Sequence, residues 1–316
     1  MPEYGGLLGA DAPFAIDRPV HLDDLVACGV TKPLIDELVA RDVIRRVTRA
    51  TYVASQVDDS IELRARALGL VVPESAIVVD RTAAWLHGVD LLRRGIREEL
   101  PEIQLFQREG TRIRRAGVEG GRRTLLDVDV SVVHGIRVTT PLRTALDLGR
   151  LLWRFDGLAA LDAFAHSGVS VHQMLHELPR FRGARGVVQL RSLVPLVDGR
   201  AESPAESALR LHWYDAGLPR PEVQWWIEID GVETFRLDLA LPDEGFAAEF
   251  DGEAFHTGQT DRDADAVRRA LVAREHRYHF EIFTKADIYV PGADPCPRLV
   301  TGRRTARIGR GLNPYG

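Results

Sequence analysis

The sequence holds two cysteines, Cys28 and Cys296, in 316 residues. That is too few for a disulfide framework or a cysteine metal site, so both read as isolated thiols. No uninterrupted apolar run approaches the roughly 20 residues that a membrane-spanning helix needs. The opening stretch MPEYGGLLGADAPF lacks a basic start followed by an apolar core. Neither a membrane protein nor an exported one is indicated, and the expected location is the cytoplasm. Lysine is scarce too: of 41 basic residues only Lys32 and Lys285 are lysine. That bias reads as base composition of the coding DNA, although arginine also suits phosphate contacts. There is no internal repeat.

What is present is a chain long enough for two or three cores, with the 45% hydrophobic content of a globular protein. The net charge of −5 is distributed unevenly. Residues 201–290 carry 9 basic against 19 acidic side chains, whereas residues 291–316 carry five arginines and one aspartate. The division reads as four parts: 1–56, 57–200, 201–290, and a Pro/Gly/Arg-rich tail, 291–316, without periodicity and expected to be extended or mobile.

Residues 15–54 read as two short amphipathic helices followed by a small hairpin. Thr31 is a good N-cap, and Leu34, Ile35, Leu38 and Val39 fall at helical spacing behind it. Arg41, Arg45, Arg46 and Arg49 crowd the end of that helix and the hairpin. The turn, helix and strand GVTKPLIDELVARDVIRRV and the return RATYVAS resemble the winged helix-turn-helix that opens AbiEi-type antitoxins of type IV toxin–antitoxin systems. The resemblance implies a recognition helix beginning near Thr31 and Lys32, with the arginines on duplex DNA. Residues 1–56 nevertheless carry 8 acids against 6 bases, so a helical protein-interaction domain with a solvated arginine face stays open.

From 60 to about 196 helices alternate with short strands. In TTPLRTALDL, Thr140 is placed to cap a helix with Pro141 at its first position, burying Leu142, Ala145, Leu146 and Leu148. AIVVDRTAAWLHGVDLL and VHGIRVTTPLRTALDLGRLL continue the similarity to the AbiEi-type family, which implies a protein partner in a toxin–antitoxin or defence locus. Nothing in this part has the spacing of a catalytic set.

The segment FRLDLALPDEGFAAEFDGEAFH reads as a β-hairpin. If Pro242 to Gly245 form the loop, Leu241 faces Phe246 and Asp238 faces Glu249, with Asp251 two residues further along. Carboxylates that close repel one another unless a proton or cation intervenes. Mg²⁺ (or Mn²⁺) held by one or two carboxylates resolves the conflict.

About 85 residues, from SPAESALRLHWYDAGLPRPEVQ through RLDLALP and AAEFDGEAFH to YHFEIFT, resemble the PD-(D/E)XK nucleases, closest to the very-short-patch repair endonuclease branch. The resemblance places Glu206, Asp238 and Glu249 at the acidic positions, with Asp238 and Glu249 as metal ligands, and sets His256 after the strand. Asp251 stands where most of the superfamily has lysine. Each residue also has a plainer reading. Glu206 follows Ser203 in a capping box, Asp238 and Glu249 are open to pairing with Arg236 or Arg268, and His256 to simple packing.

The expected fold class is α/β in the multi-domain α+β sense. It comprises a winged helix-turn-helix, an α/β middle domain and a restriction-endonuclease-like mixed sheet flanked by helices. Two functions follow: a metal-dependent DNA endonuclease with Glu206, Asp238, Glu249, Asp251 and His256 in its site, or a non-enzymatic, antitoxin-like regulator that binds DNA. A protein-interaction module is the third.

Overall fold

The computed structural model describes residues 8, 9, 11–89, 91, 102–107, 118–121, 123–229, 231–252, 271–290 and 292–315. The chain divides into two compact units, Met1–Asp147 and Leu148–Gly316. Mixed α and β structure runs through both, in agreement with the multi-domain α/β class. Among the described residues no helix is long and apolar enough to cross a membrane.

The first unit begins with a helix-turn-helix. Helices α1 (Leu22–Ala27) and α2 (Lys32–Ala40) are joined through a turn in which Gly29 takes φ +84°. Thr31 holds the N-cap position of α2 in extended conformation, without a side-chain capping bond, and Pro33 lies in the first turn. Ile35 and Leu38 bury against Leu25, Val30, Val43 and Tyr52. Leu34, expected inward, is 37% exposed. Val39 packs partly buried beside Ile35 and Leu38, so three of the four residues at helical spacing lie on the inner face.

Strands β2 (Ile44–Thr48) and β3 (Thr51–Ala54) form the hairpin, with Ile44 opposite Ala54 and Arg46 opposite Tyr52. The short β1 (Val20–His21) pairs with β3 on its other side. The result is a helix-turn-helix with a β-wing.

Behind it α3 (Ile61–Gly69) is capped by Ser60, whose Oγ accepts from the Leu63 amide at 3.1 Å. A five-stranded sheet follows, built from β4 (Ala76–Val78), β5 (Ile103–Gln107), β6 (Val118–Gly121), β7 (Val130–Val133) and β8 (Ile136–Thr139). Its order is β6-β5-β4-β8-β7, with β4–β8 and β5–β6 parallel. Helix α4 (Asp80–Leu86) leaves β4 and α5 (Pro141–Leu151) leaves β8. Thr140 acts at the start of α5 as its sequence suggested, its Oγ1 accepting from the Arg143 amide at 3.3 Å.

Alongside the apolar residues of α5, Arg143 and Asp147 are also buried. The Arg143 guanidinium donates to Asp147 (2.8 Å) and Asp129 (2.7 Å), and Arg123 donates to Asp147 and Asp80, both at 2.7 Å. Burial works against the charge on Arg123, but Asp80 and Asp147 outweigh it and hold the side chain firmly protonated. Such a network is tolerated inside a protein when its charges are mutually satisfied, and removing one member strands the others.

The second unit contains α6 (Arg154–His166), α7 (Val171–Glu177), α8 (Val187–Leu193) and α9 (Pro204–Asp215), ahead of a four-stranded sheet. Strands β9 (Glu222–Ile229), β10 (Val232–Leu241), β11 (Phe246–Phe250) and β12 (His279–Phe283) lie in the order β12-β11-β10-β9. Only the β11–β12 pairing is parallel. Trp213 of α9 stacks on Phe246 at 5.1 Å between ring centroids. Arg210 of α9 and Asp162 of α6 form an ion pair with both side chains out of solvent.

The C-terminal segment corrects the sequence reading. It is not an extended tail: Cys296–Gly309 is a 14-residue helix. Pro295 and Pro297 stand at its start, where a missing amide costs nothing. Leu299, Gly302 and Ala306, at helical spacing, are its buried face. Gly302 lets the helix approach closely, since a Cβ there would lie 2.6 Å from Glu281 Cγ and 2.8 Å from Phe246 Cε2. High Pro, Gly and Arg content concealed this stripe.

Candidate functional site

Two regions carry the residues singled out from the sequence. The first is the helix-turn-helix and its wing. Lys32, Asp36 and Glu37 are exposed on α2, while Ile35 and Leu38 anchor its other face. The wing arginines are not idle. Arg46 donates to Asp36 at 3.1 Å and lies over the Tyr52 ring at 5.6 Å. Arg41 pairs with Glu37 at 2.7 Å, Arg49 with Glu102 at 3.6 Å, and Arg45 donates to the carbonyl of Val57 at 3.0 Å. Three of the four expected DNA-contacting arginines thus hold a carboxylate. The acids Asp36 and Glu37 were missed as site residues; their signal was two carboxylates on the solvent face of a helix read as a DNA reader.

The second region is the hairpin. Leu241 faces Phe246 and Leu239 faces Ala248, the register that the loop Pro242–Gly245 required, with Gly245 at φ +64° closing the turn. The ladder ends at Leu239 and Ala248; continued by one residue, the same register would set Asp238 across from Glu249. There the Phe250 amide donates to Asp238 Oδ2 at 2.9 Å, and the Asp251 amide donates to the Phe283 carbonyl at 2.8 Å. Glu249 is buried, 6% exposed, and Asp251 is half-buried.

On the other side of β10, Leu239 pairs with Val223 and Leu237 with Trp225, which puts Gln224 beside Asp238. Gln224 has φ +56°, an unusual value for a non-glycine residue in a strand, and its Nε2 donates to Glu206 Oε2 at 2.7 Å. Glu206 therefore reaches the edge of this row through Gln224. The same Oε2 accepts from the Glu202 amide at 2.9 Å, while Ser203 Oγ accepts from the Glu206 amide at 3.2 Å. Ser203 thus caps the helix, while Glu206 takes the amide one residue before the N-cap, so the reciprocal half of the capping box is not formed.

Arg236 does not pair with Asp238 or Glu249. It donates through both terminal nitrogens to Glu202, each at 2.7 Å. His256 and Arg268 lie outside the described residues. Among the described residues no group of three or more Asp, Glu, His or Cys side chains is disposed around a common point that could hold a metal ion. Asp238 and Glu249 are the residues that follow the last recorded pair of that ladder on its two strands. A Mg²⁺ ion accepts so small a protein contribution when water and phosphate complete its shell.

Three arginines of the C-terminal helix are committed to carboxylates within the unit. Arg303 and Arg307 both hold Glu244, at 2.7 Å from Arg303 Nε, and Arg298 spans Glu281 at 3.1 Å and Asp287 at 3.0 Å. Burial raises the Glu244 carboxyl, but the two guanidiniums outweigh that and hold it below its ordinary value.

A helix-turn-helix with a β-wing leading into an α/β domain closed by buried arginine–aspartate pairs defines the class of protein to which this chain conforms. The model of the AbiEi antitoxin C-terminal domain matches residues 76–196. Two uncharacterized proteins from two strains of Mycobacterium tuberculosis are each 33% identical over 252 residues, covering 76% of this chain and 86% of theirs. The chain belongs to one family with these mycobacterial proteins and carries the AbiEi-type antitoxin domain within it. That match ends before the hairpin, so it says nothing of a nuclease.

Proposed function

We propose that this chain is a cytoplasmic, DNA-binding regulator of the antitoxin type, acting with a protein partner in a toxin–antitoxin or defence locus. One observation carries the reading: a helix-turn-helix with its wing, Leu22 to Ala54, stands directly ahead of the segment that matches the AbiEi antitoxin domain. In this reading α2 enters the major groove, with Thr31 and Lys32 at its leading end, and the wing arginines contact the backbone. The test is fluorescence anisotropy of the full chain with a labelled duplex across a salt series. Affinity should fall as salt rises, and Arg45→Ala with Arg46→Ala should weaken it. Salt-independent binding, or no loss in the double variant, refutes the assignment.

A second reading concerns the hairpin. A hairpin register that, continued past Leu239 and Ala248, would bring Asp238 to a buried Glu249 is what supports a Mg²⁺ site acting on a nucleic-acid phosphate. Asp251 and His256 would position or deprotonate the water, and Glu206 would support the site through Gln224. The regulator is the better supported of the two, because its support is a matched family segment rather than a pair of carboxylates.

A further inference from the structure

We infer that Asp36 and Glu37, the two acids on the exposed face of α2, are specificity-determining residues: they hold the wing arginines against binding DNA of arbitrary sequence. The inference rests on the DNA-binding reading above and goes beyond it. Asp36 takes Arg46 at 3.1 Å and Glu37 takes Arg41 at 2.7 Å, and all four side chains lie between 44% and 64% exposed. The pairs are therefore open to solvent, where an ion pair is weak and readily exchanged. A phosphate can displace either carboxylate, but only by leaving an unpaired acid on the helix face turned toward the polyanion. Every backbone contact by Arg41 or Arg46 thus carries a repulsive counterpart a few ångströms away.

A protein reading only the backbone gains little from such a surface. Sequence-specific contacts in the groove must supply the difference, and a carboxylate there can accept only from a base amino group, such as that of cytosine. The acids thus penalise non-specific duplex more than a matching site, a discrimination built from repulsion as well as attraction.

The magnitude follows from counterion release. If each acid cancels one phosphate contact, the log–log salt slope loses about 0.9 per acid. Restoring one contact then tightens binding by about fivefold at 0.15 M salt relative to 1 M, and restoring two by about thirtyfold.

The experiment uses the full chain and a fluorescein-labelled 20-base-pair duplex of random sequence. Wild type is compared with Asp36→Asn/Glu37→Gln, and with Glu275→Gln, which removes the same charge from an exposed pair with Arg274 in the other unit. The double variant should bind about thirtyfold tighter with a steeper salt slope, and Glu275→Gln should match wild type. Equal affinity of wild type and double variant, or equal tightening by Glu275→Gln, overturns the inference while leaving the DNA reading intact. Absence of binding by every protein removes both. Unchanged melting of the double variant verifies that the fold is not the cause.

Discussion

The ion pair between Asp162 and Arg210 ties α6 to α9 and offers the sharpest test of how the second unit is assembled. Arg210 is 0% and Asp162 1% exposed, so neither charge reaches water. Asp162 Oδ1 also accepts from the Asp198 amide at 2.9 Å, and the guanidinium reaches the Leu196 carbonyl. Asp162→Asn keeps the shape and the acceptor for Asp198 but removes the charge facing Arg210. A guanidinium does not shed its proton inside a protein, so it stays buried and uncompensated. Breaking a buried pair on one side costs about 3–5 kcal/mol. For a unit of about 170 residues that corresponds to a melting temperature lower by about 8–14 °C. Removing both charges is different, because an apolar pair of similar volume replaces two desolvated ions. Asp162→Leu with Arg210→Met should recover most of the loss. Chemical denaturation of wild type, Asp162→Leu, Arg210→Met and the double variant gives the coupling directly. A loss below about 1 kcal/mol for Asp162→Asn, or a double variant as damaged as the sum of the singles, would refute the buried pair.

Gly302→Val should cost about 1–3 kcal/mol by overpacking the C-terminal helix against Glu281 and Phe246, read as a lower midpoint in urea; a wild-type midpoint would mean the helix is not seated there. His87 Nε2 donates to the Thr139 carbonyl at 2.7 Å, and burial holds its pKa below the ordinary histidine value. Its contribution to stability is present above about pH 6.5 and lost as pH falls through the lower folded value. Melting from pH 7.5 to 5 should therefore drop less for His87→Gln than for wild type, and identical slopes would contradict this. Asp238→Asn keeps an acceptor for the Phe250 amide. If the hairpin binds a dication, 5 mM Mg²⁺ should raise the melting temperature of wild type but not of the variant, and supercoiled plasmid should be nicked only by wild type. If neither effect appears and the variant melts higher, the metal reading fails.

Sequence legibility followed the physics of each element. The hairpin was readable because alternation and a Pro-Asp-Glu-Gly loop leave one register, and Leu241 does face Phe246. The helix-turn-helix was readable because Thr31, Pro33 and the Ile35/Leu38 stripe mark a helix start and one face. What stayed hidden depends on partners distant in sequence. Arg143 and Asp147 sit among leucines on α5, and only the fold supplies Asp129, Asp80 and Arg123 to justify them. Gln224 gave no signal, since its link between Glu206 and the hairpin depends on a positive φ that no local pattern encodes. The C-terminal helix was obscured because Gly302, which looks like a helix breaker, is the contact point that close packing requires.

Charge counting along the chain separates an acidic segment, 201–290, from a basic one, 291–316, and the contacts tie the two together. The tail's Arg298, Arg303 and Arg307 are spent on Glu281, Asp287 and Glu244, and Arg310 on the carbonyls of His276 and Asp243. The acid excess of residues 201–290 is therefore in part the counter-charge of the helix that follows it. Carboxylate pairing recurs at Arg41, at the end of α2, and at Arg46 and Arg49 on the wing. A cation committed to a carboxylate attracts phosphate only through exchange, so attraction at long range is weak and binding depends on contacts made at close range. If the chain binds DNA as proposed, recognition on such a surface would come from the face of α2 and not from bulk charge, and a net charge of −5 would be compatible with that partner.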